Sequence, residues 1–319
     1  MLDILAITGP IYLCIAAGFL ATRFGVFSKA DMRVLGKFVL NFALPALLFS
    51  AVSQRPLREV MHTDYLLAYG LGSCTMLLGG YAWARWIDKG EKTYRAYFAM
   101  GMCCSNSGYV GYPVVSLTLG AIAPVALALN MVVENLVKLP ILMSLADASE
   151  ASSEGHRRSV WRVLGDTLLG LLRTPMLVAI LAGFVCSMLG WHLPGPFGRT
   201  VTLFSQATTA VALFVIGGAL VGLRMQGKRR TVGKIVIGKL LLHPLCVFIA
   251  LMWVVPISDP QLRTAALLFA AMPMLGIYPI LAQRHGHEDV SAAALLATTV
   301  ASFFTLNLLL WVLKHYPLA

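Results

Sequence analysis

The sequence predicts an all-α integral membrane protein of ten transmembrane helices, arranged as two inverted five-helix repeats with two broken helices crossing inside the bilayer. Three observations carry this. The 319 residues are 58% hydrophobic and only 12% charged, with a mean hydropathy of +0.78, which is more apolar surface than a soluble core hides. Apolar stretches of about 20 residues, enough to cross roughly 30 Å of hydrocarbon, recur along nearly the whole chain. Segments near the start and the middle of the chain match each other, glycines and prolines included.

Hydropathy places spans near residues 4–22, 34–53, 64–86, 95–117, 121–146, 168–190, 199–223, 234–255, 262–283 and 289–313. No period-two alternation runs through them, which argues against an outer-membrane barrel. The first window opens on Met1, Leu2 and Asp3, an acidic n-region with no convincing cleavage site after it, and so reads as a retained span rather than a secretion signal. Residues 1–146 then form the first repeat, 147–167 a cytoplasmic loop between repeats, and 168–319 the second repeat.

Basic residues give the orientation. One set of alternate loops holds nineteen: Arg23, Lys29, Arg33 and Lys37; Arg85, Lys89, Lys92 and Arg95; Arg157, Arg158, Arg162 and Arg173; Arg224, Lys228, Arg229, Arg230, Lys234 and Lys239; and Arg284. The other set holds five, Arg55, Arg58, Arg199, Arg263 and Lys314, and Lys138 alone falls inside a span. Lys and Arg accumulate in cytoplasmic loops, so both termini are expected on the periplasmic side of a bacterial inner membrane. The net charge of +11 then reads as topology signal and contact with anionic membrane lipids, not as nucleic-acid binding. The cysteines, Cys14, Cys74, Cys103, Cys104, Cys186 and Cys246, sit in apolar runs without metal-ligand spacing, and read as small buried residues rather than a metal site or disulfide frame.

Pro10, Ile15, Ala17, Gly18 and Phe19 in span 1 match Pro175, Ile180, Ala182, Gly183 and Phe184 in span 6, and Gly25 matches Gly190, all at an offset of 165. At 166, Pro113 in span 4 matches Pro279 in span 9. Five is odd, so the second half enters the membrane from the opposite side, an architecture common in secondary carriers.

Span 2 carries Asn41 and Pro45, second-rank site candidates at an expected kink. Span 4 carries Asn106, Ser107, Gly108, Gly111 and Pro113, and an unbroken helix is not expected there, because proline removes a donor and clashes with the preceding turn. Backbone freed at that depth normally lines a cavity. Span 5 carries Asn130, Glu134, Asn135 and Lys138. Glu134 and Lys138 lie four apart on one face, either as a neutralised structural pair or as a substrate or coupling-ion site. The Gly217, Gly218 pair of span 7 signals a kink or close helix packing. His243 in span 8 is either a hydrogen-bonded packing residue or a proton carrier. Span 9 carries Pro273, Gly276, Ile277 and Pro279, the partner break. Half-helix amino ends at two such breaks attract an anionic group, whereas prolines that only kink packed helices are the plain alternative. Span 10 offers Thr298, Thr299, Ser302 and Asn307, and His285 and His287 are expected to be solvated in the loop before it.

The segments Asn106 to Pro113, Gly276 to Pro279 and Phe42 to Pro45 resemble the auxin efflux carrier family, which includes bacterial malonate and malate carriers and the plant PIN auxin exporters. The resemblance spans the whole chain. It implies a fold similar to bile-acid and sodium/proton carriers, an elevator-like motion of a crossover domain past a scaffold, substrate contact at Asn106, a crossover marked by Pro113 and Pro279, and a homodimer. The chain lacks the long central cytoplasmic loop of the plant members, and Met274 and Leu275 stand where they have a polar residue.

The expected function is secondary active transport of small organic anions, carboxylates such as malonate, malate or auxin-like acids, with coupling to protons or sodium left open and no cofactor. A channel is the first alternative. A membrane-embedded enzyme is the second, but no His-Glu-x-x-His pair or Ser/His/Asp arrangement appears, so no catalytic residue is assigned.

Overall fold

The computed structural model describes residues 2–55, 61–153, 165, 169–170, 172–191, 193–222, 229–283, 285–316 and 318. Among these the regular structure is helical, apart from one isolated antiparallel bridge between Ser105 and Met274. Helix α1 spans Leu2–Arg23 and α2 spans Lys29–Ser53. The turn between them uses Gly25 at a φ of +80°, a left-handed conformation that costs a residue without Cβ nothing. α2 opens on a capping box between Ser28 and Asp31, which satisfies two otherwise orphaned amides. α3 is Thr63–Trp86, and α4 (Lys92–Cys103) and α5 (Tyr112–Leu119) are two halves of an interrupted helix. α6 starts as Ala123–Val133, passes a π turn at Glu134–Lys138 and continues as Leu139–Ser153.

The second half holds α7 (Pro175–Leu189), α8 (Gly195–Ala219), α9 (Arg229–Val254), the interrupted pair α10 (Pro260–Ala271) and α11 (Tyr278–Gln283), and α12 (Glu288–His315). Among the described residues, five helical runs are long and apolar enough to cross a membrane: Lys29–Ser53, Ser107–Ala146, Gly195–Ala219, Arg229–Val254 and Glu288–His315. Leu13, Leu203, Trp253 and Phe304 stay exposed on the outside of the bundle, an apolar periphery suited to lipid rather than water. α6 reaches seven residues into the expected inter-repeat loop. Most of that loop, with Arg157, Arg158 and Arg162, lies outside the described residues, as do Arg58, Arg224, Lys228 and Arg284.

Proline spacing explains the irregular turns. The π turns at Val39–Ala43, Ser107–Gly111, Glu134–Lys138, Gly238–Leu242 and Ala250–Val254 are each followed, after one residue, by a proline: Pro45, Pro113, Pro140, Pro244 and Pro256. In each case the residue before the proline donates its amide five residues back, as Leu44 does to Val39 and Tyr112 to Ser107. A proline ring collides with the carbonyl four residues earlier and offers no N–H; widening the preceding turn removes the collision, and the helix runs on past Pro45, Pro113, Pro140 and Pro244, while before Pro256 it ends.

The helices pack in a defined set of pairs. α1 packs on α8, α2 on α7 and α8, α3 on α4 and α9, α4 on α6, and α9 and α11 on α12. A Cβ on Gly18 would lie 2.0 Å from the carbonyl oxygen of Phe214, and one on Gly183 would lie 3.1 Å from that of Phe49. Gly18 and Gly183 are 165 positions apart, and so are Phe49 and Phe214. Gly217 backs onto the Ile15 carbonyl from the other side, at 1.9 Å for its absent Cβ. The glycine pair of α8 therefore serves close packing, and α8 runs through it unbroken.

Gly217→Ala must push backbone against backbone and is expected to destabilise the fold by about 1–3 kcal/mol. Gly9→Ala, whose new Cβ meets nothing within 4 Å, is expected to be neutral or mildly stabilising. Thermal unfolding midpoints in detergent compare the two.

Candidate functional site

α4 stops at Cys103 and α10 at Ala271, and the chain is extended at Cys104 (φ −89°, ψ 122°) and at Met272 (φ −63°, ψ 155°). Met272 precedes Pro273, and a residue before proline is driven from helical to extended backbone. The two extended stretches cross and pair: Asn106 N donates to Pro273 O at 2.8 Å, and Leu275 N donates to Cys104 O at 3.1 Å. Each break thus supplies the hydrogen bonds that the other lost, at a depth where unsatisfied backbone is costly.

Asn106 caps the restart of its helix, its Oδ1 accepting from Tyr109 N at 3.3 Å. A Cβ at Gly276 would sit 3.4 Å from Asn106 Nδ2, so the amide of one break faces the glycine of the other. Gly108 and Gly111 make room for Leu44 and Phe269, whose atoms lie 3.0 and 2.8 Å from where a Cβ would be. Pro113 is buried, Pro279 half-buried and Ile277 exposed. α11 has only six residues, so the amino end at Ser107, continuing through α5, is the stronger dipole end of the two.

Behind the crossing lies a buried polar network. Glu134 Oε1 accepts from Lys138 Nζ at 3.0 Å, Ser107 Oγ at 3.0 Å, Ser105 N at 3.3 Å and Tyr69 OH at 3.4 Å. Asn130 Nδ2 donates to Ser107 Oγ at 2.7 Å. Lys138 Nζ also donates to Cys103 O at 2.9 Å, which caps the carboxyl end of α4. The mirror arrangement is made by Lys239, whose Nζ donates to Ala270 O at 2.6 Å near the carboxyl end of α10 and lies 3.1 Å from His243 Nδ1. His243 Nε2 is 3.0 Å from Ser73 Oγ on α3. An ammonium at the negative end of a half-helix offsets its dipole. Ser105 Oγ and Asn130 Oδ1 are buried without a hydrogen-bond partner among the described residues.

Several expectations change. Lys239, counted with the loop residues, is fully buried inside α9; it sits a turn before His243, and an i,i+4 Lys and His in an apolar run was the available signal. His285 and His287 are half-buried rather than solvated, and His285 Nδ1 lies 2.8 Å from Tyr97 OH. Asn41 is exposed and donates to Lys37 O of its own helix at 2.7 Å, while Pro45 is buried beside its π turn. Ser302, Thr298, Thr299 and Asn135 bond carbonyls of their own helices. Tyr69, Ser73 and Ser105 join the network without having been singled out, since isolated hydroxyls in apolar runs carry no periodic signature. A cavity of about 140 Å³ between Phe49, Ser50, Gln54, Trp191 and Val201 has, among the described residues, no ionisable side chain and no crossover residue in its wall.

A family described as membrane transport protein matches residues 7–312. The chain is 26% identical over 315 residues to a protein of Rhizobium meliloti named as a putative malonate transporter, covering 98% of this chain and 97% of that one. It is 25% identical over 215 residues to the uncharacterized transporter YfdV of Escherichia coli, covering 65% and 66%, and 30% identical over 116 residues to an uncharacterized transporter of Methanothermobacter thermautotrophicus, covering 35% and 37%.

Glu134→Gln or Lys138→Met alone strands a buried charge and is expected to cost about 3–5 kcal/mol. The double variant removes both charges and should recover a large part of that loss. Equal destabilisation by the double and single variants in thermal unfolding would show that the two charges do not balance each other.

Proposed function

Because the chain belongs to the auxin efflux carrier family of membrane transport proteins, we propose that it is a secondary active transporter of small organic anions, working by an elevator-type alternating access. The observation that carries this is the crossing itself: Asn106 at the amino end of a half-helix, opposite Gly276, with the Ser105 to Met274 bridge holding both breaks at one place. Amides at a helix start favour a carboxylate, and irregular backbone inside a bundle normally lines a substrate path. Malonate is the first substrate to test, since a relative matched over 97% of its length is named as a putative malonate transporter.

The ten-span inverted architecture is part of the proposal. The symmetric contacts of Gly18 and Gly183 favour it, as do the pairings α1 with α8 and α7 with α2. In this reading α1, α2, α7 and α8 form the scaffold, and the crossover moves past them with α3, α4, α6, α9 and α12. Tyr109 OH, which donates to Gly36 O of α2 at 3.0 Å, is one contact that such a motion must break. The membrane is the bacterial inner membrane, with both termini periplasmic and two copies associating as a homodimer.

Reconstituted protein is expected to catalyse saturable malonate counterflow in liposomes. Asn106→Ala should reduce it at least about tenfold, the equivalent of one lost hydrogen bond to a charged group. Wild-type counterflow in that variant rules Asn106 out as a contact, and unsaturable malonate currents without counterflow point to a channel.

A further inference from the structure

We infer that Lys239 and His243 form a proton-binding site through which proton movement is coupled to transport; the coupling half of this rests on the transporter reading, the proton site does not. The comparison of the two buried lysines carries it. Lys138 is ion-paired with Glu134 at 3.0 Å, so taking its proton away strands a carboxylate among buried groups. Lys239 is as deeply buried and forms no ion pair with any described carboxylate. Its proton leaves without stranding any charge.

The surroundings fit one exchangeable proton. Nζ of Lys239 faces two acceptors, Ala270 O and His243 Nδ1. The charged form donates to both, with His243 neutral and its Nε2–H directed at Ser73 Oγ. In the uncharged form the amine gives up one donor and the ring stays neutral, so the site differs by one proton held on Nζ and nothing else is oxidised or reduced. The titratable and charged groups near it are Lys138 and Glu134 of α6, Cys103 and Cys104 at the end of α4, and Tyr69 of α3, whose ring is 6.2 Å from that of His243. From α10 the Ala270 carbonyl accepts from it.

The proton state reaches the crossover directly. Ala270 lies three residues before Pro273, whose carbonyl receives Asn106 N. Protonated Lys239 clamps the carboxyl end of α10 to α9 and, through His243 and Ser73, to α3. Loss of the proton weakens that clamp without breaking an ion pair, which makes Lys239 a positioning residue whose charge sets how firmly one break is held.

The first test needs no substrate. Nitrogen NMR of isotope-labelled histidine in the full-length protein in micelles, with the His243 signals assigned by their loss in His243→Gln, should show Nδ1 of a ring that remains neutral shifting in a single step with pH as Lys239 gains its proton. In Lys239→Arg the step should vanish, because a guanidinium keeps its proton; if that variant does not fold, Lys239→Met serves. A wild-type Nδ1 that never shifts, or a step that survives Lys239 replacement, overturns the proton site. The second test is malonate accumulation in liposomes that are acidic outside and alkaline inside, with the membrane potential held at zero by potassium and valinomycin, expected at about tenfold per pH unit for one proton carried per malonate. Wild-type counterflow without gradient-driven accumulation overturns the coupling while the transporter reading stands. Absence of counterflow removes malonate transport while the NMR titration still decides the proton site.

Discussion

Two interrupted helices can cross inside an apolar bundle only if the backbone they expose is satisfied, and here each break satisfies the other. The bonds from Asn106 N to Pro273 O and from Leu275 N to Cys104 O form a minimal piece of antiparallel sheet in an otherwise helical molecule. Everything around the site answers to that constraint. Glycines at 108, 111 and 276 allow close approach, Pro113 and Pro273 shape the backbone on either side, and Asn106 caps the helix that restarts beyond the break.

Stopping a helix in the interior creates carboxyl ends as well as amino ends, and the structure treats them alike. Lys138 reaches Cys103 O and Lys239 reaches Ala270 O, each from a helix packed beside the break. A buried ammonium offsets the partial negative charge of a helix end, but it must be desolvated to do so. One lysine is balanced by Glu134 and the other is solvated by an imidazole and a carbonyl. The geometry is closely matched in the two halves, and the charge is not. That difference is where the chemistry of the two breaks diverges.

The π turns show the same economy of cause. A proline that follows one residue after a widened turn appears five times. Three of these turns present the site: Ser107–Gly111 restarts the helix after the first break, Glu134–Lys138 carries the ion pair, and Gly238–Leu242 carries Lys239. Widened turns rotate the side chains that follow them relative to a regular helix, so the prolines that appear in the sequence only as kinks also set which way the buried charges face.

Much of this was legible from the residue order. Apolar length gave the helical class, offsets of 165 and 166 linked the matching segments, and Pro113, Gly276 and Pro279 marked the breaks, because helix geometry makes proline and glycine effects local. The placement of Glu134 and Lys138 on one helix face followed from their spacing, and the structure pairs them. Tertiary structure alone decided that Lys239 is buried rather than in a loop, that Asn41 turns back to its own helix while Asn130 reaches Ser107, and that His285 meets Tyr97. Those outcomes depend on which helices pack side by side, and a side chain's hydrogen-bond partner across a helix interface leaves no periodic trace in its own segment. The sequence by itself determined where the chain must bend; only packing determined which polar groups meet there, because burial forces each to find a partner and the partners come from distant helices.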